Sequence, residues 1–255
     1  MASTTAAPTS TITGTVITIT TTGTAITTTT TDGAFARLLA WTSPAYPVGG
    51  FSYSHGLETA VEEGLVTEAD ALRGYVEAVL TAGAGHVDAA LLAAAHRAAL
   101  LRDDAALDAV AELAAAWRGT AEQALEATQQ GGSFASVTVA AWPDEALAAF
   151  AARHKGRLAH AVAFGAAAGF AALPSRASLV AYLSGFAANL VSAGVRLVPL
   201  GQTDGQRVTA ALAPLIARCA EQAEGADLES IGTSALRPDL LSMRHETQYT
   251  RLFRS

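Results

Sequence analysis

The chain has 255 residues, a formal net charge of -7 at pH 7 and a sequence pI near 5.3. This acidic balance argues against a nucleic-acid-binding protein, because contacts to phosphates need a basic surface. Only 15% of the residues are charged while 51% are hydrophobic, so much of the chain is expected to be buried in its own core or against a partner. The single cysteine, Cys219, allows no intramolecular disulfide, which is typical of a reducing cytoplasm.

The first 32 residues are dominated by threonine and contain no basic residue. A secretory signal would need a charged start and a continuous apolar region, and a transit peptide would need arginines. We therefore expect residues 1–32 to form a disordered tail and residues 33–255 to form one all-helical domain.

From Asp32 onward, apolar residues recur at helical spacing. Gly131-Gly132 is expected to end one helix, and residues 133–142 are assigned to the next helix rather than to a strand, since no second strand signal lies nearby. The fold predicted is an all-α, single-domain bundle of roughly eight to ten helices with a buried central hairpin. The predicted helices lie at about residues 32–43, 57–63, 67–82, 86–101, 104–130, 133–142, 143–153, 158–198 with a break at Pro174-Ser175, and 203–221, followed by a loop over residues 225–238.

The second half of the central hairpin is apolar enough to raise another possibility. Residues 177–195 contain no charged residue, and that length can cross a bilayer. The run also contains Ser184, Asn189, Ser192 and two glycines, and it has no aromatic belt. A buried helical hairpin is therefore favoured, with an α-helical membrane protein as the alternative.

The usual signatures of catalysis and cofactor binding are missing from the sequence. The only lysine, Lys155, lies outside any P-loop motif, and the six histidines form no His-Glu-x-x-His motif and no cluster with cysteine at ligand spacing. A Gly-x-Ser-x-Gly motif is also absent. We therefore predict an interaction protein that is not an enzyme and holds no permanent metal or cofactor. A helical enzyme using the polar turn at residues 202–207 is the third hypothesis.

Three separated blocks resemble one known family. They are residues 43–58 (SPAYPVGGFSYSHGLE), 196–207 (RLVPLGQTDGQR) and 244–255 (RHETQYTRLFRS). In this order they resemble the UreF family of urease accessory proteins, and the resemblance covers residues 35–255. It implies a cytoplasmic, often dimeric subunit that joins UreD (UreH) and the GTPase UreG in the complex that delivers nickel to apo-urease. Nickel and GTP would then act through the partners, and a GTPase-activating effect of Arg196 or Arg207 on UreG is an alternative role.

The resemblance carries the candidate partner-binding residues. They are Pro47, Gly49, Phe51, Ser52 and Glu58 in the first block, Arg196, Gln202, Asp204, Gln206 and Arg207 in the second, and Arg244, His245, Glu246, Tyr249, Arg251 and Phe253 in the third. In the second block, Thr203 to Gln206 has the pattern of a capping box. We expect Asp204 and Gln206 to hold this turn while Arg196 or Arg207 faces another subunit.

The end of the chain differs from the rest in charge. Residues 240–255 carry three arginines against one glutamate, together with tyrosine, leucine and phenylalanine, whereas the remainder is acidic. Arginines interleaved with aromatic residues are typical of a partner-binding peptide. Docking of this segment on its own domain is equally compatible with the sequence. The resemblance favours the first interpretation, a segment that docks UreD and is ordered mainly in that complex.

Overall fold

The computed structural model describes residues 32–117 and 119–255, so residues 1–31 of the predicted disordered tail lie outside the described part. Within that part the chain forms ten helical runs, one of which, Ala69–Leu100, is divided into two helices at Gly83. The predicted all-α bundle is confirmed. The helices are α1 (Asp32–Trp41), α2 (Leu57–Glu62), α3 (Ala69–Ala82), α4 (Ala84–Leu100), α5 (Asp104–Ala116), α6 (Ala121–Ala141), α7 (Glu145–Arg153), α8 (His160–Phe170), α9 (Ser175–Leu197), α10 (Gln202–Glu224) and α11 (Leu236–His245), with single 3-10 turns at Gly50–Ser52 and Leu228–Ser230.

Helix α8 forms the centre of the bundle, since every residue after His160 is buried. Two glycines let α4 approach it closely: a Cβ atom at Gly165 would lie 2.4 Å from the carbonyl oxygen of Leu92, and one at Gly169 would lie 2.4 Å from that of His96. Helix α6 covers another side of α8, and α10 packs against α9, α3 and α4. The break predicted at Pro174-Ser175 is confirmed, with Pro174 as the N-cap residue of α9.

The predicted helix over residues 104–130 is wrong, because the chain forms two helices there. Helix α5 ends at Ala116 and α6 starts at Ala121. The hydroxyl of Thr120 caps the new helix by accepting a hydrogen bond from the Gln123 amide at 3.1 Å. A threonine at this position satisfies one of the amides that a helix start leaves open.

The prediction that Gly131 and Gly132 end a helix is wrong, because both lie inside α6. A Cβ atom at Gly131 would lie 2.0 Å from the carbonyl oxygen of Leu158, whereas nothing lies within 4 Å of one at Gly132. Gly131 therefore serves the close approach of two backbone segments rather than a turn. Residues 133–142, assigned to a separate helix, continue α6 up to Ala141.

The end of the predicted loop at residues 225–238 also differs, since α11 starts at Leu236 and contains Pro238 in its first turn. Proline is tolerated there because its missing N–H has no partner to lose. The first turn of α10 differs as well. Gly201 is the N-cap residue, without a side-chain hydrogen bond, so the predicted capping box does not form.

Two helical stretches of the described chain are long and apolar enough to span a membrane. They are Ala69–Leu100, whose most apolar window is 78% buried inside the domain, and Ser175–Leu197, whose window is 50% buried. Core helices of a bundle meet the same criteria of length and hydropathy. These criteria therefore do not favour a membrane span here.

Candidate functional site: the signature loop and the C-terminal segment

The first and third sequence blocks meet in space. We call residues 43–56 the signature loop and residues 246–255 the C-terminal segment. The loop leaves α1 and contains two left-handed glycines, both with φ of 76°: Gly49 directly precedes its 3-10 turn and Gly56 directly precedes α2. A Cβ atom at Gly56 would lie 2.5 Å from the backbone nitrogen of Ser242 in α11. Gly56 thus provides both the backbone conformation and the space that bring the loop against the end of the chain.

Glu58, in the first turn of α2, holds the C-terminal segment. Glu58 is buried, with only 8% of its surface exposed. The carboxylate accepts hydrogen bonds from the amides of Leu252 at 2.6 Å and Phe253 at 2.9 Å. Hydrogen bonds to an ionised carboxylate are stronger than those between neutral groups. The segment is therefore fixed through its backbone, by a side chain more than 190 residues away in sequence.

The imidazole of His245 connects Glu58 to α6. Its Nε2 atom lies 3.1 Å from the Glu58 carboxylate and its Nδ1 atom lies 2.7 Å from the Glu122 carboxylate. His245 itself is fully buried, with 0% of its surface exposed. The ring therefore lies between the two carboxylates, with one carboxylate at each nitrogen. Arg251 adds a further contact, with its Nη1 atom 2.8 Å from Glu122 Oε1.

The two segments also bond through their backbones. The amide of Arg254 donates to the carbonyl of Ser52 at 2.8 Å, and the amide of Ser54 donates to the carbonyl of Ser255 at 2.6 Å. The Ser255 hydroxyl reaches Glu126 of α6 at 3.0 Å. Of the two arrangements that the sequence left open, the structure has the C-terminal segment docked on its own domain.

Arg196 of α9 contacts both the signature loop and the C-terminal segment. Its guanidinium lies 4.3 Å from the ring centre of Phe253, a cation–π distance, and Nη2 donates to the carbonyl of Phe51 at 2.6 Å. Partial burial lowers the pKa of Arg196, although an arginine keeps its charge near pH 7. Arg196 is therefore engaged within the chain, through contacts to both segments.

The second block runs from the end of α9, where Arg196 lies, into the start of α10, and most of its residues are exposed. Asp204 pairs with Arg207 at 2.8 Å, an exposed ion pair three residues apart on the helix. Gln202 and Gln206 are exposed as well. Asp204 was expected to hold this turn together with Gln206, but its carboxylate accepts a hydrogen bond from Arg207 and does not cap the first amides of the helix.

The remaining candidates divide between the surface and the interior. Phe51 is 64% exposed and Tyr249 is fully exposed, whereas Glu58, His245 and Phe253 are buried. Surface positions are also occupied by Pro47, Arg244, Glu246 and Arg251, and Gly49 and Ser52 are half-buried. Arg244 pairs with Glu63 at 2.9 Å, and Glu246 accepts a hydrogen bond from the Ala121 amide at 2.8 Å.

Sequence reasoning missed the part played by α6. Glu122, Glu126 and Gln130 are buried although their residue types are usually exposed. Glu126 accepts hydrogen bonds from Gln130 at 2.8 Å and contacts His55 Nε2 at 3.1 Å. Their four-residue spacing marks one face of a helix, and that stripe of polar residues was the available signal.

The arrangement holds the C-terminal segment in place. Two carboxylates, Glu58 and Glu122, are saturated by an imidazole, a guanidinium and backbone amides. In the described residues no three His, Cys, Asp or Glu side chains are grouped so that they could hold a metal ion.

Comparison with known proteins gives the family of the chain. The UreF family model matches residues 66–213. The urease accessory protein UreF of Granulibacter bethesdensis is 57% identical over 224 residues, which cover 88% of this chain and 95% of that protein. That of Methylorubrum populi is 51% identical over 219 residues, covering 86% of this chain and 98% of the relative. The chain therefore belongs to the UreF family of urease accessory proteins.

Proposed function

We propose that this chain is a non-catalytic urease accessory subunit that bridges UreD (UreH) and the GTPase UreG in the complex that inserts nickel into apo-urease. In this role it is cytoplasmic and homodimeric. It holds no permanent cofactor, and nickel and GTP act through the partner proteins. Family membership supports the accessory role, and the junction of signature loop and C-terminal segment supports the bridging role.

One observation carries the proposal: a segment held on the domain by hydrogen bonds presents apolar side chains outward. Glu58 and Arg196 fix the backbone of the C-terminal segment and the ring of Phe253. The neighbouring Tyr249 and Leu252 nevertheless point into solvent, Leu252 being 65% exposed. Ordered, exposed aromatic and aliphatic residues near arginines are typical anchors of protein–protein interfaces. We assign this surface to UreD.

Co-expression with UreD and UreG, followed by size exclusion with light scattering, tests the proposal. We expect all three proteins to elute together, and the double variant Tyr249→Ala, Leu252→Ala to lose UreD. Leu101→Ala is the matched control, because Leu101 is a 71% exposed leucine at the end of α4. The control variant should keep both partners. A chain that elutes alone, or a double variant that binds UreD as well as the control does, would contradict the proposal.

A second candidate role, activation of GTP hydrolysis by UreG, is favoured by one feature. The Arg207 side chain is 75% exposed and pairs with Asp204, so it is free to leave that exposed ion pair. An arginine that stabilises phosphoryl transfer must reach the phosphates of the GTPase. Arg207→Ala and Arg207→Lys should then both lower the GTPase rate of the complex while leaving its assembly intact. An unchanged rate in both variants would exclude this role.

A further inference from the structure

Three residues other than glycine have a left-handed backbone within the described part of the chain. They are His55 with φ of 52°, Arg102 with φ of 56° and Ala172 with φ of 50°. Arg102 and Ala172 each lie one residue beyond the C-cap residue of α4 or α8, where a left-handed residue is a common way to end a helix. His55 instead lies just before Gly56, the N-cap residue of α2. Its conformation therefore needs another cause.

The side chain of His55 supplies this cause, since it is buried and contacts two helices. Its Nε2 atom lies 3.1 Å from Oε1 of Glu126 in α6. Its ring packs edge-to-face on Phe186 of α9, with 4.9 Å between the ring centres. Gln130 donates a hydrogen bond to the same carboxylate oxygen at 2.8 Å, which holds the Glu126 side chain against its own helix. The histidine thus fastens the signature loop to both α6 and α9.

The backbone of His55 is held as well. Its carbonyl accepts a hydrogen bond from the hydroxyl of Tyr75 in α3 at 2.7 Å. The end of the signature loop is thus tied to α3, α6 and α9 through one residue. A residue that several contacts keep in a disfavoured backbone conformation is typical of binding and switch segments.

We propose that His55 is the positioning residue of the signature loop. Its contacts hold the loop in a conformation that the backbone alone disfavours, and in that conformation the loop exposes Phe51. Loss of these contacts loosens the loop and leaves the helical bundle folded. The consequence for partner binding rests on the proposed function, whereas the consequence for the order of the loop does not.

Amide hydrogen exchange of the full chain tests the proposal with two variants at one position. The amides of residues 52–54 report on the loop, since they donate hydrogen bonds within it or to Ser255. His55→Ala loses the side-chain contacts and keeps the disfavoured conformation, whereas His55→Gly loses the same contacts but adopts that conformation freely. Exchange should therefore be fastest in His55→Ala, about tenfold slower in His55→Gly, and slowest in the parent chain.

Ala172→Gly is the matched control, because it relieves the same backbone conformation at the end of α8. It should raise the midpoint of urea unfolding and leave the exchange of residues 52–54 unchanged. Equal exchange in the two His55 variants would overturn the proposal, and so would exchange in His55→Ala as slow as in the parent chain.

Partner binding distinguishes positioning from a general loss of stability. In co-expression with UreD and UreG, His55→Ala should lower the share of the chain that elutes with its partners, and His55→Gly should restore part of it. Binding that follows the urea midpoint of each variant, and not its loop exchange, would mean a merely structural role and refute the proposal. If the parent chain itself bound neither partner, the proposed function would fail, and the exchange measurements would still decide the role of His55.

Discussion

Two neighbouring glycines in α6 provide a sharp test of the helix packing. Gly131 and Gly132 both lie in the interior of the helix. A Cβ atom added at Gly131 would meet Leu158 O at 2.0 Å, the carbonyl carbon of Ala159 at 2.7 Å and the amide nitrogen of His160 at 2.8 Å, whereas one added at Gly132 would meet nothing within 4 Å. We therefore predict that Gly131→Ala destabilises the protein and that Gly132→Ala stabilises it.

The two magnitudes follow from opposite effects. Alanine is favoured over glycine inside a helix by about 0.5–1 kcal/mol, and this gain applies to both positions. At Gly131 the neighbouring atoms belong to the backbone and would have to move by more than an ångström, which raises the cost to at least the upper part of the usual overpacking range of about 1–3 kcal/mol. The variants should therefore differ by about 3 kcal/mol, or about 6–12 °C in Tm for a domain of this size.

Urea unfolding of both variants and the parent chain, followed by far-UV circular dichroism, measures the difference. Gly132→Ala should raise the midpoint and Gly131→Ala should lower it. Equal midpoints for the two variants would mean that α6 does not approach the residues before α8 as described. A loss of stability in both would mean that the helix ends at the glycine pair, as the sequence pattern had predicted.

Three further predictions concern the site and the core. Glu58→Gln should speed amide exchange of the C-terminal segment by about tenfold or more, since it weakens charge-assisted hydrogen bonds, whereas Glu63→Gln should not, because its partner Arg244 is exposed. Burial lowers the pKa of His160 to about 4, so as the pH falls its ring takes up a proton in the unfolded chain before it does so in the folded chain. Stability should therefore fall by about 3 kcal/mol between pH 6.5 and 4. His160→Phe should remove this part of the pH dependence of stability. Parallel curves of stability against pH for the variant and the parent chain would refute the prediction. Gly165→Ala should destabilise the α4–α8 contact, while Gly74→Ala, with open space at its Cβ, should not.

Local patterns predicted most helix boundaries, and tertiary contacts decided the others. Pro174 separates α8 from α9 as expected, because proline restricts the residue before it and fits a helix start. Gly131 gave the wrong prediction because its role depends on residues 158–160, which are distant in sequence. The capping pattern at residues 203–206 also failed, since α10 starts at Gln202 with Gly201 as its N-cap residue, which places Thr203 inside the helix.

The candidate site was predicted in part for a similar reason. The three blocks contain Glu58 and His245, but nothing in either block indicates that one side chain binds the other. Glu122 completes the cluster from a helix outside the blocks. Exposure of Phe51 and Tyr249 and burial of Phe253 were equally beyond the sequence pattern, because all three are aromatic residues in irregular or terminal segments.

The buried charges indicate how a partner engages the C-terminal segment. Glu58 and Glu122 are stable in the interior only while His245, Arg251 and the segment's amides compensate them, since an unpaired buried charge is costly. A partner that pulled the segment away would have to supply equivalent donors to both carboxylates. A partner that adds to the outer side meets Tyr249 and Leu252 without breaking any of these contacts. Binding by addition is therefore the less costly route. With UreD as the proposed partner, amide protection of residues 252–255 should rise, rather than fall, on binding.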